Sequence, residues 1–355
     1  MKPLRYSQQN LTPEDEQAVL EALRSPYLTQ GPKVEEFEQV LAEYVGSKHA
    51  VCVSNGTVAL ELAYKASRLD MILTSPLTFM ATANAMQGNA QFQDVSSVTG
   101  NVEFVGTYGL TGAIVGIVPV HFAGRAAPIP KTIITNFVIE DACHALGAVD
   151  FDGCSKIGSC AHSLATVFSF HPVKPITTGE GGAITTNDES LAKELRSLRD
   201  HGREDGLMVR LGTNARMTEL QAALGLSQLK RCDEMRDSRA ILATIYSPLL
   251  TDVAGVDRPD WPTTRSAWHL YPIRIKNGRR DAVKAKLNAQ GIGAQVHYNP
   301  IVPLHPYYRK RFGYKPGDFP NAEAWAAEEL SLPLHAGMNE SDVERVVKAL
   351  REALL

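Results

Sequence analysis

Two rhythms of apolar residues run through the chain. Short continuous apolar runs recur at residues 50–53, 71–74, 91–95, 113–120, 136–141, 165–170 and 183–186. Between many of them lie stretches whose apolar positions repeat every three or four residues, the period of a helix with one buried face. Thr12-Pro13 opens the first helix, with a hydroxyl at the N-cap and proline at the first helical position. A second carries Val34, Phe37, Leu41 and Tyr44 on one face. Ser54-Asn55-Gly56-Thr57 follows the first strand and starts a helix through Leu60 and Tyr64. Pro76-Leu77-Thr78-Phe79 follows the second strand and precedes an alanine-rich helix. Asp188 caps a helix bearing Leu191, Leu195 and Leu198, and a longer helical stretch starts at Thr218 with Leu220, Leu224 and Leu229 apolar. Continuous apolar strands alternating with helices predict an α/β protein whose sheet is mostly parallel and covered on both faces.

After about residue 240 the pattern changes to a strand at 269–275, a helix at 281–290, a strand at 294–298, and a C-terminal helix capped by Asn339 with Val343, Val346, Val347 and Leu350 on one face. This predicts a large domain over residues 1–240 and a smaller α/β domain over 241–355. No internal repeat or low-complexity segment interrupts the pattern. A length of 355 residues suits two domains, and 44% apolar with 21% charged residues is the balance of a soluble globular protein.

A net charge of −3 gives no electrostatic case for nucleic acid. The longest apolar runs are too short to cross a bilayer. Met1-Lys2-Pro3-Leu4-Arg5-Tyr6 lacks the apolar core of a signal peptide, so a cytoplasmic protein with no membrane partner is expected. The five cysteines, Cys52, Cys143, Cys154, Cys160 and Cys232, are expected as free thiols. With His144 and His162 three of them lie close in sequence, but none of the paired spacings of a zinc site is present, and no metal is expected.

The chemistry concentrates at strand ends. Lys174 follows an apolar strand in Phe168-Ser-Phe-His-Pro-Val-Lys-Pro-Ile-Thr-Thr-Gly-Glu-Gly-Gly182, flanked by Pro172 and Pro175. Ligands of open α/β sheets bind at such ends, although a lone loop lysine is ordinarily just solvated. Asp141 ends another apolar strand, where a carboxylate is costly unless paired. It could hold a protonated pyridine nitrogen, or it could simply cap the following turn. The exposed amides of Gly56 and Thr57 at a helix start suit a phosphate. Phe79 could stack on a ring or belong to the core. Neither a P-loop nor a G-x-G-x-x-G turn occurs, so a nucleoside triphosphatase or dehydrogenase has no fingerprint here.

Taken together, these motifs resemble the DegT/StrS-type nucleotide-sugar aminotransferases, which use pyridoxal 5'-phosphate (PLP). The resemblance runs through Tyr27-Leu-Thr-Gln-Gly-Pro32, Ser54-Asn-Gly-Thr57, Pro76-Leu-Thr-Phe79, Glu140-Asp-Ala-Cys-His-Ala-Leu-Gly147, the Lys174 loop, Gly212-Thr-Asn-Ala-Arg-Met217, Gln295-Val-His-Tyr298 and Leu332-Pro-Leu-His335. It implies PLP-dependent transferase fold type I, like aspartate aminotransferase. Within the family the likeness is greatest to the branch of pseudaminic-acid synthesis that makes UDP-4-amino-4,6-dideoxy-N-acetyl-β-L-altrosamine.

The resemblance implies that Lys174 forms the Schiff base and that Asp141 pairs with the pyridine nitrogen. His144 stands where the family often has Gln, Phe79 lies on the ring, and Gly56, Thr57 and Ser169 hold the phosphate. Asn214 reaches that phosphate from the partner subunit of a homodimer with shared sites. Thr29, Gly31, His297 and Tyr298 contact the sugar. A nucleotide-linked 4-keto-6-deoxy sugar, UDP-linked and N-acetylated, and L-glutamate as amino donor are the implied substrates, with pyridoxamine 5'-phosphate formed between the half-reactions. The rivals are other dTDP-, GDP- or UDP-linked 4-keto sugars, a sugar dehydratase, which in this family lacks the lysine, and a silent regulatory member of the fold. The chain departs from the family at 96–112 and 125–135, where shorter connections replace full helices.

Overall fold

The computed structural model describes residues 3–104, 115–129, 137–262 and 264–355. Helices α1 (Pro13–Arg24) and α2 (Pro32–Val45) lead into strand β1 (His49–Val53), helix α3 (Gly56–Ala66), strand β2 (Met71–Thr74) and the single-turn helix α4 (Ala81–Asn84). Strands β3 (Ala90–Phe92), β4 (Val115–Val118), β5 (Ile139–Asp141), β6 (Ala165–Ser169) and β7 (Gly182–Thr186) complete one layer. Parallel bridges Ile117↔Val138 and Val120↔Asp141 join two ladders into one sheet, in the order β1-β7-β6-β5-β4-β2-β3. Every neighbouring pair is parallel except those made by β7, which runs against both β1 and β6.

The mostly parallel sheet is therefore as expected, and its direction places the site. The carboxyl ends of β1, β2, β4, β5 and β6 share one edge, and β7 begins there, with Gly182 opposite both Val53 and Ser169. Helix α5 (Glu189–Arg199), capped by Asp188 onto Leu191 N, follows β7. A short hairpin, β8 (Arg203–Glu204) and β9 (Leu207–Met208), precedes α6 (Glu219–Leu229) and α7 (Cys232–Leu250).

The helical stretch expected from Thr218, with Leu220, Leu224 and Leu229, is α6, and α7 follows it after a short break. At the break Arg231 turns its guanidinium onto Asp15 Oδ2, 2.7 Å away. Residue 240, the expected boundary, lies inside α7. The alanine-rich helix after Phe79 is only one turn, because Gln87 and Gly88 take left-handed φ of 51° and 83° a few residues on.

The C-terminal part holds an antiparallel sheet of β10 (Val256–Asp257), β11 (Tyr271–Ile275) and β12 (Glu329–Leu332) with helices α8 (Arg280–Ala289), α9 (Pro306–Phe312), α10 (Pro320–Glu328) and α11 (Glu340–Leu354). The strand expected at 294–298 is a single bridge, Gln295↔Ser331. The ladder stops because His297 N–H donates to the Glu329 carboxylate, 2.6 Å away, rather than to a neighbouring strand. One apolar cluster contains Val51, Ile72, Ile139 and Val167 of the large sheet together with Tyr271, Leu330, Val346 and Leu350 of the C-terminal part. Of the shortened connections at 96–112 and 125–135, residues 96–104 and 125–129 hold no helix, and residues 105–112 and 130–135 lie outside the described residues.

Candidate active site

At the carboxyl edge of the large sheet lies a cavity of about 630 Å³. Its size is that of small-molecule and cofactor sites in general. Strand β5 delivers Asp141, which is 5% exposed. Its Oδ2 accepts from Thr82 Oγ1 at 2.7 Å and its Oδ1 from Cys143 N at 3.1 Å. Thr82 Oγ1, in α4, lies 2.8 Å from Thr78 Oγ1 in the bend that leads into that helix. The carboxylate is thus oriented by two donors, which makes it a positioned acceptor as well as a turn cap.

Helix α3 aims its N-terminus at the same cavity. Asn55 Oδ1 takes the Val58 N–H at 2.9 Å, and the N–H groups of Gly56 and Thr57 have no acceptor within the helix. Ser169, ending β6, packs so tightly on Gly56 that a Cβ there would lie 2.8 Å from the serine Cβ. Amides, helix dipole and the Ser169 hydroxyl form a cradle for an anion.

Lys174 lines the cavity, its backbone N–H held by His171 O at 2.8 Å. No described side chain hydrogen-bonds or ion-pairs with its ammonium. Burial lowers its pKa below the ordinary lysine value, and Cys143 and Asp141 offset part of that. A lysine so depressed is a better nucleophile near neutral pH.

Four imidazoles line the cavity with it, of which only that of His171 is exposed. His144 Nδ1 accepts from Ala123 N at 3.3 Å, which leaves Nε2 to donate to Tyr298 OH at 3.2 Å. The His269 ring sits 4.3 Å from that of His144, centroid to centroid. This approach depends on Gly124, at φ +94°, where a Cβ would come within 3.0 Å of His144 O and of the Trp268 and His269 amides. Burial, together with Lys174 and the other imidazoles, pushes His144 and His269 well below the usual histidine range, and burial with Lys174 and Lys284 pushes His297 down to about 3. His144, His269 and His297 are therefore neutral at physiological pH, and the other ionisable groups lining the cavity include Lys174, Asp141, Glu180 and His171. Phe79, 52% exposed, stands at the mouth with its ring 6.0 Å from that of Tyr298.

The cavity thus brings together Gly56, Thr57, Phe79, Asp141, His144, Ser169, Lys174, His297 and Tyr298 of the residues expected from sequence. It does not include Thr29, Gly31 or Asn214. Thr29 bridges Thr218, Gly31 donates its N–H to Glu219 Oε1 at 3.1 Å, and Asn214 is exposed, paired with Asp200. The sequence reading missed Thr78, Thr82, Tyr6 and the placement of His269 in this cavity. The T-x-x-x-T spacing of Thr78 and Thr82 was the one local signal.

Comparison with known proteins gives the class. The sequence profile of the DegT/DnrJ/EryC1/StrS aminotransferase family matches residues 9–351. The chain belongs to this family. Among its relatives, the spore coat polysaccharide biosynthesis protein SpsC of Bacillus subtilis is 38% identical over 98% of this chain and 96% of its own length. A UDP-4-amino-4,6-dideoxy-N-acetyl-beta-L-altrosamine transaminase of Campylobacter jejuni is 36% identical, also over 98% and 96%. The solved structure of Helicobacter pylori PseC, an aminotransferase involved in the biosynthesis of pseudoaminic acid, superposes with a TM-score of 0.88 at 33% identity, covering 99% of both chains.

This DegT/DnrJ/EryC1/StrS protein is accordingly a PLP-dependent sugar aminotransferase with the fold of the PLP-dependent aminotransferases. Its cavity fits the cofactor: an anion cradle, a carboxylate oriented by two donors and an unpaired lysine converge on one space. Among the described residues no group of three or more His, Cys, Asp or Glu is arranged to hold a metal ion, and no helix is long and apolar enough to cross a membrane.

Proposed function

We propose that this aminotransferase converts a nucleotide-linked 4-keto-6-deoxy sugar, UDP-linked and N-acetylated, to its 4-amino sugar with L-glutamate as donor. The observation that carries the reading is the convergence of Lys174, Asp141 and the Gly56–Ser169 cradle on one cavity. Relatives named as UDP-linked altrosamine transaminases, 34–36% identical over almost the whole chain, favour the UDP sugar.

In this reading Lys174 holds the cofactor covalently, Asp141 holds its ring nitrogen, and Gly56, Thr57 and Ser169 hold its phosphate. Phe79 and His144 flank the ring, and His297 and Tyr298 meet the sugar. The bound cofactor supplies an electron sink for the carbon that loses its proton. Asp141 keeps the ring nitrogen positive. Lys174 Nζ, unprotonated more readily than a solvated lysine, takes the proton from the donor's α-carbon and in the second half-reaction returns one to C4 of the sugar. His144 stays neutral and fixes Tyr298 by its hydrogen bond.

We further propose a large and a small domain joined through α7, and a homodimer with shared sites. Leu207, Met208 and Leu211, each at least 70% exposed, form an apolar ridge beside Asn214 that suits a second copy. Asn214 then serves the partner's phosphate, and Thr29 and Gly31 meet sugar at the same junction.

The test is incubation of the protein with PLP, L-glutamate and a panel of 4-keto nucleotide sugars, followed by identification of the aminated product. Amination of the UDP-linked N-acetylated sugar is expected. Preference for a dTDP- or GDP-linked sugar would reject the proposed substrate, and no amination with any amino donor would reject the activity.

A further inference from the structure

One buried carboxyl reaches the cavity through two other side chains. Glu329 in β12 has no exposed surface. Its Oε2 accepts the His297 N–H, and its Oε1 lies 2.6 Å from Ser331 Oγ. Ser331 Oγ lies 2.9 Å from His297 Nδ1. His297 lines the cavity, and its Nε2 has no partner among the described residues.

A hydroxyl has one proton, so the direction of this chain is set at its buried end. An ionised Glu329 can only accept. Ser331 must then donate to it and accept from Nδ1–H, which leaves Nε2 as a bare acceptor. A protonated Glu329 donates from Oε1 to Ser331, whose own proton turns to Nδ1, and Nε2 carries the hydrogen. We propose that Glu329, acting through Ser331, sets the tautomer of His297 and so decides whether the cavity is offered a hydrogen-bond donor or an acceptor at Nε2.

The protons balance. On passing to the ionised state the Glu329 proton moves to Ser331 Oγ, the Ser331 proton to Nδ1, and the Nε2 proton to water in the cavity. One proton leaves, and the negative charge stays on Glu329.

Burial raises Glu329 to about 8, against its hydrogen bonds from His297 and Ser331 and the charges of Arg280 and Lys284 on α8. His297, at about 3, remains neutral across that range, so the change is between two neutral tautomers. The other charged or titratable groups around the chain are Lys174, Tyr6, Tyr298 and the neutral imidazoles of His144 and His269 on the cavity side. Opposite Glu329 on β11 stands Arg274, whose guanidinium is committed to Glu328 of α10 at 2.6 Å. Glu329 is thus a positioning residue for a polar group of the substrate. That consequence rests on the proposed function, but the proton chain itself does not.

The test is ¹⁵N-histidine NMR of the PLP-loaded protein, in which two-bond couplings distinguish Nδ1–H from Nε2–H and a His297→Gln variant assigns the ring. Wild type is expected to carry Nε2–H below about 8 and Nδ1–H above it. Glu329→Gln is expected to hold one tautomer throughout, and Ser331→Ala to uncouple the ring from the carboxyl. The absence of a tautomer step in wild type, or its survival in Glu329→Gln, overturns the proposal even if Ser331→Ala fails to fold. No substrate is needed, so this result is separate from the sugar panel. Once a sugar is identified, its KM should change by roughly 2- to 10-fold across the step in wild type and not in Glu329→Gln, the worth of one hydrogen bond. A flat KM in wild type would remove Nε2 from substrate recognition.

Discussion

Replacing Asp141 with Asn separates the two jobs a strand-end carboxylate can do. In the structure it accepts from Cys143 N and Thr82 Oγ1. An amide keeps a carbonyl for the Cys143 N–H and turns its NH₂ toward Thr82. The Thr82 hydroxyl can then donate to Thr78, 2.8 Å away, so both bonds survive with one reversed. The folding cost is therefore about 1 kcal/mol or less. The charge does not survive. A charge-assisted bond to the ring nitrogen contributes about 1.5–3 kcal/mol, so PLP should bind about 10- to 150-fold more weakly. Proton removal from the donor should slow more, since the electron sink depends on a positive ring nitrogen. Thermal unfolding of the cofactor-free protein, PLP titration and a single-turnover reaction with L-glutamate measure the three quantities. Wild-type PLP affinity and single-turnover rate in Asp141→Asn would remove Asp141 from the chemistry. Loss of several kcal/mol of cofactor-free stability would make it a structural cap instead.

Lys174→Ala should fold and still take up pyridoxamine phosphate through the cradle, but should lose the borohydride-sensitive absorption of the bound cofactor and all turnover; near-wild-type transamination would refute its assignment. Glu329 binds its proton more tightly in the folded protein than in the unfolded chain, its pKa rising from 4.5 to about 8. Its contribution is therefore fully present below about 4.5 and lost as pH rises to about 8, by at most roughly 5 kcal/mol. Glu329→Gln should flatten that part of the stability profile in denaturant titrations at several pH values, and an unchanged profile would show that the carboxyl does not titrate there. Lys174→Ala and Asn214→Asp, each inactive alone and dimeric, should regain activity when unfolded and refolded together, because a mixed dimer with shared sites has one site free of both lesions. No recovery in verified mixed dimers would rule out Asn214 as a donor to the partner's site.

What the sequence made legible was local. Asp141 and Lys174 stand at or just past the ends of apolar strands, so strand direction alone sends them to one edge, and Asn55 marks the start of α3 three residues before the amide it caps. What it hid was delivered from far away. Thr82 reaches Asp141 across 59 positions, and His269 reaches His144 only because Gly124 lets two segments touch. The apolar rhythm at 294–298 predicted a strand, but a buried carboxylate 32 residues later takes the His297 N–H and ends the pairing. Periodicity records which residues face inward, not which side chains compete for backbone donors.

The charge inventory of the cavity carries the argument one step further. A cofactor phosphate, a donor's carboxylates and a nucleotide diphosphate are all anions. Among the described residues lining the cavity, Lys174 is the one Lys or Arg, and its nitrogen is assigned to covalent chemistry. Three of the four imidazoles lining it, His144, His269 and His297, are held neutral by burial. What remains for the anions is the dipole of α3, two amides, hydroxyl groups and the exposed His171, which suffices for a phosphate at a helix start but leaves the charges of the proposed substrate with no further Lys or Arg from this cavity. Asn214 and the arginines of the neighbouring loop lie outside it, Arg210 and Arg216 being paired with Glu204 and Asp200. For the proposed substrates, a single chain thus encloses groups for proton transfer and offers few for anion recognition, which is the condition the proposed second copy of the chain, seated on the apolar ridge beside Asn214, would meet.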